Sequence, residues 1–213
     1  MRTLPMLVAA LALVACAPSS SQGQASAPST ERAAAPPSGR AVAIFAGGCF
    51  WCMEGPFEAL DGVDSVTSGY TGGRIEGPSY RQVSSGTTRH AEAVHIVYDP
   101  ERVTYARLLE VFWHNVDPTQ SDGQFCDHGP QYRTGIFVAN AEERRLAEAS
   151  KVQAARTLGR RIVTEITDAG AFWVAEGYHQ DFYRTNPARY RSYRAGCGRD
   201  RVLRSLWGDA AAH

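Results

Sequence analysis

Between residues 41 and 166 the spacing of apolar residues switches repeatedly between a period of two and a period of three to four, which restricts the chain to folds in which helices cover a sheet. Ala41-Val42-Ala43-Ile44-Phe45-Ala46 is a continuous apolar run ended by Gly47-Gly48, the pattern of a buried strand and a tight turn. Phe50, Met53, Phe57 and Leu60 then predict a helix over 49–60, with Pro56 as a kink or restart. Residues 63–70 predict a second strand. Residues 91–98 alternate, with Glu92, Val94, Ile96 and Tyr98 on one face and Ala91, Ala93, His95 and Val97 on the other.

Tyr105, Leu108, Leu109, Phe112, Trp113 and Val116 form a helical stripe wide enough to lie on a sheet. Gly135-Ile136-Phe137-Val138 is a short strand. Residues 142–158 predict a helix with Leu146, Ala149, Val152 and Leu158 inward, and residues 162–166 a further strand. Segments 72–89 and 117–133 are long loops, and long loops in compact domains often carry function. The expected class is α+β: a two-layer sandwich of a mixed sheet with helices packed on it, a ferredoxin-like core with long loops and a wrapping C-terminal tail.

The N-terminus reads differently. After Met1-Arg2, residues 4–14 are apolar but shorter than the roughly 20 residues a spanning helix needs, so residues 1–15 read as a signal peptide. Leu13-Val14-Ala15-Cys16 resembles the bacterial lipobox, which makes Cys16 the expected lipidated first residue of a mature, periplasm-facing envelope protein. Ala17 rather than Asp after it resembles lipoproteins of the outer membrane. The next stretch is Ser, Ala, Pro, Gln and Gly with almost nothing large to bury, so 16–40 is expected as a disordered tether. The folded domain is then 41–208, with 209–213 as a tail. Lys plus Arg and Asp plus Glu are 22 each, without like-charge blocks, and this balance argues against nucleic acid as a partner.

Setting Cys16 aside, Cys49, Cys52, Cys126 and Cys197 remain, an even number in a compartment where disulfides persist. Zinc on four thiolates needs a second Cys-x-x-Cys, and Cys126 and Cys197 stand about seventy residues apart, so no metal is expected. Cys49 follows a strand and a glycine pair at the start of a helix, where unpaired amides favour a thiolate, so it is expected to be nucleophilic with a lowered pKa. Cys52, three residues on, has its β-carbon roughly 5 to 6 Å away on a helix, close enough to bridge after modest adjustment. Cys197 lies between Gly196 and Gly198, on backbone expected to be mobile.

Gly48-Cys49-Phe50-Trp51 resembles the signature of the A-type peptide methionine sulfoxide reductases. The likeness continues through Gly69-Tyr70-Thr71-Gly72-Gly73, Tyr80-Arg81-Gln82-Val83, His90-Ala91-Glu92-Ala93-Val94, Tyr98-Asp99-Pro100, Phe112-Trp113, Asp127-His128-Gly129 and Gln131-Tyr132-Arg133. What it implies is reduction of methionine S-sulfoxide, free or in proteins, with no cofactor. Cys49 would attack sulfur and Glu92 would give the oxygen a proton, which requires an enclosed setting that raises its pKa. Tyr80 and Tyr132 would donate to that oxygen, Asp127 would order them, and Phe50 and Trp51 would receive the methyl group. A sulfenic acid on Cys49 would condense with a second thiol, Cys52 first, with Cys197 in its Gly-flanked tail as the rival, and a thioredoxin-like reductant would reopen the bridge. A tethered monomer is the expected state.

Two other readings remain open from sequence. A thioredoxin-like exchanger shares Cys-x-x-Cys at a helix start, although Phe-Trp is not its usual central pair. A lipoprotein adaptor with two static bridges would have no free thiol.

Overall fold

The structure, a computed structural model, describes residues 30–211. The expected signal peptide and Cys16 lie outside the described residues. In chain order the elements are β1 (Ala41–Gly47), α1 (Trp51–Glu58), β2 (Val63–Thr71), α2 (Tyr80–Ser84), β3 (Ala91–Tyr98), α3 (Tyr105–His114), β4 (Gly123–Gln124), β5 (Asp127–His128), β6 (Thr134–Val138), α4 (Ala141–Leu158), β7 (Glu165–Asp168), β8 (Trp173–Val174), α5 (Phe182–Thr185), α6 (Pro187–Gly196) and α7 (Arg199–Trp207). Six strands form one mixed sheet in the order β7-β6-β1-β3-β2-β8, antiparallel except for β6 with β7, and β4 and β5 make a separate hairpin. The central order β6-β1-β3-β2, with α1 and α3 as crossovers, is the expected ferredoxin-like α+β core.

Alternation along the strands sorts residues between two faces. Phe45, Val94, Ile96, Tyr98, Ile136 and Val138 join the main core with Phe57, Leu108, Leu109 and Phe112 from the helices. Ile44, Ala46, Ala91, Ala93 and Phe137 face the other way, under Phe172. A side chain at Gly69 would meet the Phe172 ring and the Trp173 carbonyl, both at 2.3 Å, so glycine there lets β8 close the edge. Tyr70 pairs with Glu92 across β2 and β3, and the alternation puts Glu92 on the helix-covered face.

Several expectations are corrected. Val152 is 51 % exposed and Ala149 is also exposed, while Ala147 and Ala154 are the buried residues of α4. Small residues allow α4 to approach α3, where Trp113 Nε1 donates to Ser150 Oγ at 2.9 Å. The loop 72–89 contains α2, whose start is a capping pair: Ser79 N–H donates to Gln82 Oε1 at 2.9 Å. The strand expected at 162–166 begins instead at Glu165, because the Val163 amide is taken by the Pro118 carbonyl at 2.8 Å.

The tail is two helices, with Trp207 Nε1 donating to the Val116 carbonyl at 3.0 Å and Ala211 buried. At the other end, residues expected in the tether run along β8. Val174 N–H donates to Glu31 O at 2.7 Å, Ala33 N–H donates to Phe172 O at 2.9 Å, and Thr30 Oγ1 donates to Pro78 O at 2.8 Å. An edge strand offers unpaired backbone groups to a neighbouring segment, and 30–33 satisfies them.

Candidate active site

The turn after β1 brings the nucleophile candidate to the sheet's edge. Gly48 has φ +80°, and a Cβ there would sit 2.5 Å from Gln124 Cβ, so only glycine permits this approach. Phe50 is the N-cap of α1, which puts Cys49 just ahead of the first helical turn rather than within it. Cys52 N–H donates to the Cys49 carbonyl at 3.1 Å, and both thiols are buried and free. Glu92 reaches across from β3 and accepts from Phe50 N–H at 3.1 Å.

Glu92 is 2 % exposed, and desolvation raises its pKa to about 8, partly opposed by the Phe50 hydrogen bond. It is therefore a carboxylic acid at neutral pH, able to give up a proton. Burial pushes the Cys49 thiol up, and its hydrogen bond to Cys52 pushes it further. Cys52 is lowered to about 6, first by that hydrogen bond and then by Arg199 and Arg194, against desolvation. The two thiols titrate together, with burial opposing charge on both and Arg199 and Arg194 favouring it on the pair.

The other expected residues gather around this pair. Tyr80 and Tyr132 lie near each other and near the Glu92 carboxyl, and both phenols are raised, chiefly by burial. Asp127 accepts from the Tyr193 hydroxyl, which is also within hydrogen-bond reach of Cys49. Phe50 packs against Tyr70 and His179, with ring centroids 6.0 and 5.0 Å away, and Trp51 stacks on Phe182 at 3.7 Å. Together they make an aromatic surface beside Cys49.

Some groups of this site were not singled out from sequence. His179 accepts from Trp51 Nε1 at 3.2 Å, and desolvation holds it neutral, with a pKa of about 4. Glu176 accepts from the Tyr70 hydroxyl at 2.9 Å and from Tyr80 N–H at 2.7 Å, fixing the loop that presents Tyr80. Tyr193 and Arg199 come from the Tyr-rich and Arg-rich tail, where no periodic signal marks them. Only the flanking Gly-Cys-Gly hinted that this stretch reaches the site.

Cys197 is not brought to Cys49. It is bonded to Cys126, with Cα atoms 4.9 Å apart, tying the β4–β5 hairpin to the α6–α7 junction. The four cysteines therefore sort into a free pair and a bridge, and the mobile tail thiol expected from its glycines is instead fixed. A cross-link spanning 71 residues stabilises by about 4 kcal/mol through loop entropy. The variant Cys126→Ser/Cys197→Ser should lose about that much in chemical denaturation while retaining activity with a small dithiol. Collapse of that activity would show that the bridge itself takes part in turnover.

A family model described as "Peptide methionine sulfoxide reductase" matches residues 41–211, which spans the whole site. The chain belongs to this family. It is an A-type methionine sulfoxide reductase, an oxidoreductase that acts on methionine sulfoxide. It is 57 % identical over 150 residues to the peptide methionine sulfoxide reductase MsrA of Streptococcus agalactiae serotype III (strain NEM316), covering 70 % of this chain and 89 % of that protein. With the MsrA of Bacillus subtilis (strain 168) the identity is 50 % over 169 residues, covering 78 % and 96 %. Methionine sulfoxide reductase A of Corynebacterium diphtheriae superposes with a TM-score of 0.64 at 33 % identity, over 71 % of this reductase and 77 % of that chain. Mxr1 of Saccharomyces cerevisiae in its reduced form gives 0.68 at 31 % identity, over 71 % and 88 %.

Proposed function

We propose that the reductase works through Cys49 as nucleophile, Glu92 as acid and Cys52 as resolving thiol. The observation that carries this is a buried Glu92, its pKa raised by desolvation, bonded to the backbone beside a free cysteine pair. Cys49 attacks the sulfoxide sulfur as its thiolate, the cysteine pair having given up one proton, and Glu92 protonates the oxygen. The protonated oxygen moves to the Cys49 sulfur as the S–O bond to the substrate and the transient S–S bond both break, so methionine leaves and Cys49 carries the oxygen as a sulfenic acid. Cys52 then attacks the Cys49 sulfur, the S–O bond there breaks, and the hydroxyl departs with the Cys52 proton as water. Tyr80 and Tyr132 donate to the oxygen as charge develops, Asp127 orders Tyr132 and Tyr193, and Phe50 and Trp51 seat the methyl group.

The resulting bridge is buried, so its reopening calls for a reductant that docks, a thioredoxin-like dithiol protein. Preference for the S epimer follows from the family resemblance. Cys16 anchors a monomer by lipid to the periplasmic side of the envelope, at the outer membrane, with residues ahead of Thr30 as the tether. Methionine S- and R-sulfoxide are to be offered separately, with dithiothreitol or thioredoxin, and the chain located by membrane fractionation with and without Cys16→Ala. Reduction of the S epimer alone, loss of thioredoxin-driven turnover in Cys52→Ser, and release from membranes in Cys16→Ala are expected. Disulfide exchange without sulfoxide reduction would remove the proposal.

A further inference from the structure

Tyr178 is 62 % exposed, yet its ring belongs to the aromatic surface beside Cys49. Its centroid is 4.2 Å from that of His179, whose ring lies 4.5 Å from Tyr80 and 5.0 Å from Phe50. Its phenol also lies near those of Tyr70 and Tyr80. The aromatic row therefore starts at the buried Phe50, passes through His179 and ends in a ring that meets solvent. Seating one methyl group at Phe50 and Trp51 leaves that outer ring without a role.

Next to Tyr178 the surface is concave. A cavity of about 480 Å³ opens between residues 30–34 and 174–177, with Ala33, Ala34, Val174 and Ala175 in its walls. It reaches Gly177, the residue before Tyr178, and nothing stands within 4 Å of a Cβ placed there, so the way from ring to cavity is open. Glu176 also lines it, and the same carboxylate accepts from Tyr80 N–H at 2.7 Å. The cavity thus shares a wall with the loop that presents Tyr80.

The wall made by residues 30–34 precedes the 41–211 family match, so the N-terminal segment of this chain adds it. Arg32 lies opposite Trp173, and the bonds joining the two segments are made by Glu31 and Ala33. In an antiparallel pair this directs the Arg32 N–H and C=O away from β8. The outer side of the segment is a strand edge, the surface to which an extended polypeptide can add.

We propose that Tyr178 and this cavity bind the polypeptide flanking an oxidised methionine: an extended segment crosses the Tyr178 ring and places an apolar side chain between residues 30–34 and 174–177. This rests on the sulfoxide being seated beside Phe50 and Trp51. The occupant follows from continuity with that seat, from the apolar walls, and from the backbone pair that Arg32 offers. Free methionine sulfoxide is too short to use any of these, so the surface separates polypeptide substrates from the amino acid.

The test measures kcat/KM of the full chain with dithiothreitol on free methionine S-sulfoxide and on blocked heptapeptides. Each peptide has methionine S-sulfoxide at its centre in a glycine background, with one leucine moved through the other positions. Leucine at one of these positions should raise kcat/KM about tenfold over glycine, the effect of burying one such side chain. Ala34→Glu should remove most of that advantage while reducing the free sulfoxide at the unaltered rate, and should favour lysine over glycine at the same position. Tyr178→Ala should lose more on the leucine peptide than on the free sulfoxide.

The absence of a leucine advantage at every position, or a loss in Ala34→Glu as large on the free sulfoxide as on the peptide, would overturn the proposal. If Tyr178→Ala does not fold, Ala34→Glu decides alone, because its position is exposed. Undiminished reduction of the free sulfoxide in Trp51→Ala would instead remove the seat on which the proposal rests, and the proposal with it.

Discussion

Cys49→Ser is expected to leave a folded protein with no measurable sulfoxide reduction, a loss of about 10⁴-fold or more. Serine fits the space, and its hydroxyl can still bond Cys52, so the surroundings of α1 need not change. The chemistry fails for two separate reasons. An alkoxide is not available near neutral pH in a buried site, and an oxygen nucleophile cannot take up the sulfoxide oxygen as a sulfenic acid. Dithiothreitol should therefore give no rescue, in contrast to Cys52→Ser, which should turn over with that reductant. Retained binding of the methionine product, measured by calorimetry, would separate lost chemistry from a lost site, because Phe50, Trp51 and Tyr80 still line it. Activity in Cys49→Ser above a hundredth of the unaltered enzyme would remove Cys49 from the mechanism.

Glu92→Gln should lower kcat by about 10² to 10⁴-fold with little change in KM, since the amide can still hold the Phe50 N–H and donate to the oxygen but cannot transfer a proton. The pH profile carries the sign. The thiol pair must be ionised, so activity rises with pH through about 6, where Cys52 titrates. Glu92 must be protonated, so activity falls as pH rises through about 8. Residual activity in Glu92→Gln should lack the alkaline limb. A stability consequence follows from the same shift. The folded pKa of Glu92 lies above its unfolded value near 4.3, so its favourable contribution is complete below about pH 4 and is lost as pH rises through about 8. At pH 8 the variant should be more stable than the unaltered enzyme, read by urea denaturation, with the gap narrowing toward pH 4. A variant that loses both activity and stability would mean that Glu92 is held for structure rather than for its proton.

The strands and α3 were legible because their apolar periods coincide with burial on a defined face: β3 alternates as read, and that alternation already put Glu92 beside Val94 and Ile96. The inward face of α4 was not legible. It is chosen by Ala147 and Ala154, whose small size permits close approach, whereas an apolar-stripe reading is drawn to Val152, which lies exposed. Most of the site was legible through the motif that carries Cys49 and through the resemblance that placed Tyr80, Glu92, Asp127 and Tyr132.

The contribution of the C-terminal helices was hidden. Tyr193 and Arg199 lie in a polar, charge-rich stretch with no amphipathic signal for the catalytic face, and only tertiary packing brings them to α1. The electrostatics of the thiol pair were hidden for a related reason: full burial raises the Cys49 thiol, and the two cationic residues that favour charge on Cys52 come from the tail.

The central claim is that oxygen passes from methionine sulfoxide to Cys49 and that the electrons come from the Cys49–Cys52 pair. A single turnover of the reduced chain without added reductant tests it most directly, with released methionine counted against thiols lost and the new disulfide mapped by mass spectrometry. The account predicts one methionine per chain, two thiols lost, a Cys49–Cys52 bridge and no release from Cys49→Ser. Methionine release that is undiminished in Cys49→Ser, or no release from the unaltered chain, would contradict it.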